Sequence, residues 1–374
     1  MKKKLLYISN IRLPTERAHG IQIMKMCEAF AKVGFDVELV VPKRKNPIVS
    51  DPFEYYKVER SFAIKKIPCV QAVYPGKIGF WFQTIVFSTM CWFYVLFNKP
   101  DVVYTRDELP GFYMIFLKFL SLQIVWESHM VRWNFFGRAL SKFSKIVVIS
   151  NGLNSFYKSK GILKENILLA PDGVDIDQFD LPINKGEARR TLSLSQNKSI
   201  VMYTGHLYDW KGATTLAEAA SYFDTNTEFM FVGGTDKHIS EFKERYKNVR
   251  NLTVVGRVAH TAVPLYLKAA DVLVLPNSAK EDISRLYTSP MKLFEYMASS
   301  KPIVASRIPS LCEILNTENA IFATPDDPAS FSNVIERLLK DKSFQDQLAT
   351  RARIDVNKYS WDVRAESIEN FIKN

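Results

Sequence analysis

The sequence predicts an α/β protein of two Rossmann-like, doubly wound halves. Short apolar strands alternate with amphipathic helices from residues 3–9 to 167–170. The turn Pro171-Asp172-Gly173-Val174-Asp175 then breaks that series, and a second one starts at 199–204. At 374 residues the chain is long enough for each half to bury its own core. These breaks predict an N-terminal domain over 1–176 and a C-terminal domain over 177–357, with 177–185 as the linker.

Composition narrows the function. Forty-seven per cent apolar and 24% charged residues describe a globular chain and exclude a disordered one. Cys27, Cys69, Cys91 and Cys312 have no C-x-x-C or metal-ligand spacing and read as buried thiols of a reducing cytoplasm. After Lys2-Lys3-Lys4 only Leu5-Leu6-Tyr7-Ile8 precedes polar Ser9-Asn10, too short a core for a signal peptide. The net charge of +11 suits nucleic acid, an anionic membrane or an anionic substrate. No basic run with interleaved aromatics and no zinc-finger or RNP-type motif is present, which argues against nucleic acid.

In the first half, residues 3–9 predict a strand and 10–20 a loop carrying Arg12, Arg17 and His19. A helix follows over 21–32, with Ile23, Met26, Cys27 and Phe30 on one face, and then a strand over 37–41. No G-x-G-x-x-G is present, so dinucleotide binding is not expected. Gly20, at the helix mouth, would admit a ligand close to the backbone, although a plain turn glycine reads equally well. Residues 45–78 are turn-rich, with Pro47, Pro52, Pro68 and Pro75 between short strand-like pieces.

Residues 79–97 carry no charge and reach the lower length limit of a membrane span. Against a span stand Gln83, Thr84, Ser88 and Thr89, and the next strand of the same sheet follows at once, near 101–104. The prediction is a sheet-packing helix with exposed aromatics at one end. A helix over 109–122 leads to a strand over 123–127 that ends in Trp126-Glu127-Ser128-His129. Polar residues at the C-terminal end of a parallel strand stand where open α/β sheets bind ligands, which makes His129 a candidate. A lone histidine is more often structural.

The second half alternates strands at 199–204, 228–232, 252–255, 272–275 and 303–305 with helices, and amphipathic helices end the chain at 331–339, 344–356 and 361–372. Its chemistry concentrates at two helix mouths. Ser289 is a candidate N-cap and Pro290 a candidate first helical residue, and Met291, Phe294, Met297 and Ala298 form a buried stripe. Lys292 falls in the first turn of that helix, where the macrodipole disfavours a cation. An external anion at the helix end would account for it. Lys211, in Gly205-His206-Leu207-Tyr208-Asp209-Trp210-Lys211-Gly212, repeats the oddity at a second helix mouth. The bland alternative is a solvated Lys292–Glu295 pair. Two such lysines favour one bound diphosphate, and Glu295 would then grip a ribose diol.

These residues resemble the retaining glycosyltransferases of family 4, also described as group 1. The resemblance covers essentially the whole chain and rests on the Gly20 loop, the strand ending at His129, P-D-G-V-D at 171–175, G-x(5)-K-G at 205–212 and S-P-x-K-L-F-E-Y-M-A at 289–298. It implies the GT-B fold, two Rossmann-like domains facing each other across a cleft, with 358–374 returning to complete the N-terminal domain. It implies His129 and Lys211 as catalytic residues. It assigns Gly20, Gly205, His206, Lys211, Ser289, Pro290, Met291, Lys292 and Glu295 to the donor. Two positions depart from the pattern. Tyr287 stands where a paired glutamate is usual, and His206 where an arginine is usual. Glu281 or Asp282 would be the stand-in carboxylate for the donor sugar.

The implied reaction moves a sugar from a nucleotide-diphosphate sugar to an acceptor hydroxyl with retention, in cell-envelope polysaccharide or glycolipid synthesis. The nucleotide sugar is a co-substrate, and no other cofactor is implied. No D-x-D pair stands at a strand end, and no metal is expected. A sugar-nucleotide 2-epimerase on the same fold and a non-catalytic sugar-nucleotide-binding module are the alternatives. The P-D-G-V-D and S-P-x-K-L-F-E-Y-M-A motifs favour the transferase. The aromatic helix and basic charge predict a cytoplasmic protein in peripheral contact with the anionic inner face of a membrane, acting on a carbohydrate or lipid-linked acceptor.

Overall fold

The computed structural model describes residues 2–69 and 76–373, so Pro75 of the turn-rich stretch lies outside the described residues. The chain divides into two compact units, Met1–Asp172 with Trp361–Asn374, and Gly173–Ser360.

The first unit holds a sheet of seven strands: β1 Lys4–Ile8, β2 Asp36–Lys43, β3 Ala63–Pro68, β4 Val102–Thr105, β5 Gln123–Ser128, β6 Lys145–Val148 and β7 Ile167–Leu169. Their order is β3-β2-β1-β4-β5-β6-β7, and every pairing is parallel. Runs such as Leu5–Ile8 and Val102–Val103 are fully apolar because helices cover both faces of a parallel sheet. The order reverses between β1 and β4, and the strand ends there face one crevice. The last helix, Trp361–Lys373, packs against the helix Ala18–Lys32.

That Ala18–Lys32 helix begins three residues before the predicted 21, so Gly20 lies inside it and not in a loop. The uncharged segment forms the helix Lys77–Asn98, which packs against β3 and the helix Glu108–Met114. Its buried stripe is Gln83, Thr84, Phe87, Ser88, Cys91 and Val95. Of the polar residues that argue against a span, Gln83, Thr84 and Ser88 thus face the protein, while Thr89 is only partly buried. Ser88 Oγ donates to Thr84 O at 2.7 Å, and Asn10 Nδ2 donates to Thr84 Oγ1 at 3.1 Å. The exposed aromatics are not confined to one end, since Phe80, Trp81, Phe82, Phe93 and Phe97 run along the whole length. The predicted helix over 109–122 is a short α-helix, Glu108–Met114, continued as the 3₁₀ turn Ile115–Leu120.

The second unit holds β8 Ser199–Thr204, β9 Thr227–Val232, β10 Leu252–Gly256, β11 Val272–Leu275, β12 Ile303–Ser306 and β13 Ile321–Ala323. All are parallel, in the order β10-β9-β8-β11-β12-β13, which is the doubly wound dinucleotide-fold order. One apolar layer lies on each face of the sheet. The order reverses between β8 and β11, so the loops after these strands share one edge. Those loops carry Lys211 and the approach to Lys292.

Candidate functional site

In the second unit the helix of the S-P-x-K-L-F-E-Y-M-A motif is Met291–Ala298. Its N-cap is Pro290, with extended φ −76° and ψ 122°, and no side chain caps it. Ser289 is therefore not the cap, because the extended Pro290 starts the helix one residue late. Lys292 is the second helical residue, and Tyr296 fastens this helix to the sheet by accepting the Thr204 N–H at 2.7 Å. That bond sets the helix mouth against the loop after β8.

Lys292 is not part of a surface ion pair. It is 9% exposed and Glu295 is 7% exposed. Lys292 Nζ lies 3.8 Å from the Tyr203 ring centroid and has no hydrogen-bond partner among the described residues. Burial first, and the nearby Lys211 second, push its ammonium well below the ordinary lysine range, with Glu295 opposing. Lys211 is partly buried, 4.0 Å from the Trp210 ring centroid, and burial lowers its pKa to about 8. Lys211 opposes the charge of Lys292, and neither lysine forms an ion pair among the described residues. Such a pair is electrostatically costly until an anion arrives.

Two glycines bring the backbone close to this site. Gly205 has φ +127°, and a Cβ built there would stand 3.5 Å from Lys292 Nζ. Gly212 has φ +73°, and a Cβ there would meet Pro276 O at 1.7 Å. Tyr203 donates its hydroxyl to His206 O at 2.6 Å. The His206 ring stacks on Tyr208 at 5.0 Å, and Tyr208 on Trp210 at 6.3 Å, a ladder that stiffens the approach to Lys211.

Glu295 has a partner that sequence reasoning missed. His260 Nε2 lies 2.8 Å from Glu295 Oε1, and its ring stands edge-on to Phe179. His260 is 35 residues from Glu295 in the chain and shares no periodicity with it, so nothing local announced the pair. Asn277 was missed too: it is fully buried, with neither amide atom hydrogen-bonded. Pro290 is buried, and Met291 and Tyr287 are partly buried. Glu281 and Asp282 are exposed, and Asp282 is held by Arg285 at 2.6 Å. That pairing and exposure make Asp282 an ion-paired surface group.

Gly20 and His129 belong to the first unit. The space a Gly20 Cβ would take is filled by the Tyr56 hydroxyl, 2.3 Å away, which accepts the Thr15 N–H and donates to Thr15 O, each at 2.7 Å. The glycine admits Tyr56, so the close approach it allows is internal.

A cavity of about 730 Å³ opens at the C-terminal ends of β1, β4 and β5. Arg12, Arg17, His19, Arg44, Arg106 and His129 line it, with Phe80, Trp81 and Trp126. Burial, Arg106, Arg17 and His129 together lower the His19 pKa to about 4. His129 contacts Glu127 through Nε2, and burial and Arg106 lower its pKa. Glu127 is fully buried and accepts from Gln22 at 2.6 Å and from Tyr104, while Arg364 stands at 3.2 Å and Arg106 at 4.0 Å. Glu127, His129 and Asp172 bring ligand-type atoms within 4.8 Å of one another. The two arginines already supply positive charge to Glu127, so this donor set is matched by cations of the protein itself.

Comparison with known proteins adds to this geometry. The family model described as Glycosyl transferases group 1 matches residues 198–341. A glycosyltransferase of Methanocaldococcus jannaschii is 24% identical over 302 residues, covering 74% of this chain and 76% of that protein. The UDP-Gal:alpha-D-GlcNAc-diphosphoundecaprenol alpha-1,3-galactosyltransferase of Escherichia coli is 29% identical over 187 residues. That match spans about half of each chain, 47% of this one and 46% of the relative. Among solved structures, sucrose-phosphate synthase from Thermosynechococcus elongatus has the same fold at a TM-score of 0.81 and 19% identity, over 100% of this chain and 98% of its own.

Proposed function

We propose that this chain is a group 1 glycosyltransferase of GT-B fold and that it moves a sugar from a nucleotide-diphosphate sugar to an acceptor hydroxyl, with retention and without a metal. The observation that carries the donor assignment is the buried Lys292 ammonium, without a hydrogen-bond partner among the described residues, at the mouth of a helix beside Gly205 and near Lys211.

A departing diphosphate gathers negative charge as the sugar–phosphate bond breaks. Fixed cations and helix N–H groups aimed at that position stabilise the transition state more than the ground state. Lys211 and Lys292 supply this charge, and Gly205 brings the loop backbone up beside Lys292. Glu295 accepts from the ribose diol. The cavity of the first unit, with His129 in its wall, takes the acceptor.

The acceptor reading is a carbohydrate or lipid-linked glycan at the inner face of a membrane. The E. coli relative is named for a diphosphoundecaprenol-linked acceptor, and the outward aromatic face of the Lys77–Asn98 helix supports the same class here.

A thermal-shift screen against UDP-, GDP- and ADP-sugars tests the donor assignment, since a ligand that binds only the folded state raises Tm. Wild type is expected to respond to one nucleotide series, and Lys211→Ala or Glu295→Ala to lose the response. A full response in both variants would overturn the assignment. Product analysis without acceptor separates the reaction classes, because a 2-epimerase would still convert the sugar nucleotide.

A further inference from the structure

We propose that His260 is the positioning residue of the nucleotide site, fixing the Glu295 carboxylate so that it can receive both hydroxyls of a ribose. This rests on the reading of Glu295 as the ribose acceptor.

The geometry is specific. Glu295 lies on the Met291–Ala298 helix and His260 on the 3₁₀ turn His260–Ala262, just after β10. The His260 Nε2 to Glu295 Oε1 distance is 2.8 Å, and the Glu295 side chain is 9% exposed. His260 is itself braced, with its ring edge-on to the buried Phe179 at 6.3 Å and 71°.

A carboxylate gripping a vicinal diol must hold its plane, because both hydroxyls donate to it at once. A glutamate on a helix has three rotatable side-chain torsions, and the last is broad. One N–H fixed to Oε1 removes that freedom. It uses one of about four lone-pair sites and leaves enough for two hydroxyls. Oriented partners behind a ligand-binding group act in this way, by pre-organisation and not by contact with the ligand.

The test uses the full chain and isothermal titration with UDP, GDP and ADP, each against its 2′-deoxy counterpart. Wild type is expected to prefer the ribo form of the nucleotide it binds. Glu295→Gln should flatten that preference. His260→Phe keeps a ring against Phe179 but has no N–H, and should weaken the ribo form about tenfold while leaving the deoxy form unchanged. His260→Gln, which can still donate from a similar reach, should recover most of the loss. A structural role alone would weaken both forms equally.

Loss of the preference in Glu295→Gln with its full retention in His260→Phe would overturn the His260 proposal alone. Retention of the preference in Glu295→Gln would overturn the ribose reading and the proposal together.

Discussion

Arg364 stands 3.2 Å from Glu127 across 237 residues of sequence, and neither side chain is more than 3% exposed. Arg364 also donates to Pro171 O at 2.8 Å and to Ala170 O at 3.3 Å. The last helix therefore reaches the carboxylate that contacts His129. Arg364→Ala would leave the buried carboxylate with Arg106, at 4.0 Å, as its remaining arginine, a loss of about 3–5 kcal/mol. Thermal unfolding should show Tm lowered by roughly 10 °C. Lys340→Ala, which breaks only the exposed pair with Glu336, should leave Tm unchanged. Equal effects from the two variants would refute the buried pair's role.

The same pair sets an acid limit. Burial alone would raise the Glu127 pKa, but Arg364, His129 and Arg106 outweigh it and hold the carboxyl well below the usual range. A depressed folded pKa contributes stability above the unfolded value of about 4.3, lost as pH falls towards the folded one. Urea midpoints of wild type and Glu127→Gln should therefore converge as pH is lowered through that window. A constant gap between them would contradict the assignment.

Much of this was legible in the sequence, for physical reasons. Parallel strands buried on both faces read as apolar runs, so β1, β4 and β11 announced a doubly wound fold. Lys211 and Lys292 were conspicuous because each cation stands at a helix mouth. Contacts between distant residues left no such trace. Glu295 meets His260, and Gly20 is filled by Tyr56, through tertiary packing that no local pattern encodes. Strand β13 was missed because three residues, Ile321–Ala323, are too few to show a period. Ser289 looked like a cap on composition, but the extended Pro290 took that position.

Lys292 carries a second consequence. Its buried ammonium has no hydrogen-bond partner among the described residues, so the free protein bears a desolvation cost that a bound anion relieves. Lys292→Met keeps the length of the side chain and removes the charge. The free variant should melt at or above the wild-type Tm, while the Tm rise given by saturating nucleoside diphosphate falls sharply. A variant that is less stable when free and keeps the full ligand shift would show a packing residue instead.

Lys211 makes diphosphate binding pH-dependent. Burial places its pKa at about 8 in the free protein. An anion binds the protonated form, so affinity should hold near pH 7 and fall about tenfold per unit above pH 8. Titrating the preferred nucleoside diphosphate from pH 7 to roughly 9.5 reads this directly, since arginine stays charged there and Lys211→Arg should flatten the slope. An equal slope in both proteins would assign the titration to another group.

The outward face of the Lys77–Asn98 helix predicts binding to anionic bilayers. Phe80, Trp81 and Phe82 are about half exposed and Phe97 is 78% exposed, with no acidic residue in the helix. The stretch that follows also exposes Phe116, Phe119, Phe135 and Phe143. From 115 to 145 its only acidic residue is the buried Glu127, while Lys118, Arg132, Arg138 and Lys142 are exposed. Apolar side chains would enter the headgroup boundary while these cations meet anionic lipid. The protein should sediment with phosphatidylglycerol vesicles at low salt and be partly released by high salt. The triple variant Phe80→Ser, Trp81→Ser and Phe82→Ser should stay in the supernatant and keep its nucleotide-induced Tm shift, because Lys211, Lys292 and Glu295, proposed to hold the donor, lie in the other unit. Wild-type protein that ignores the vesicles would sink the membrane reading, and a triple variant that still sediments would move the contact to another face.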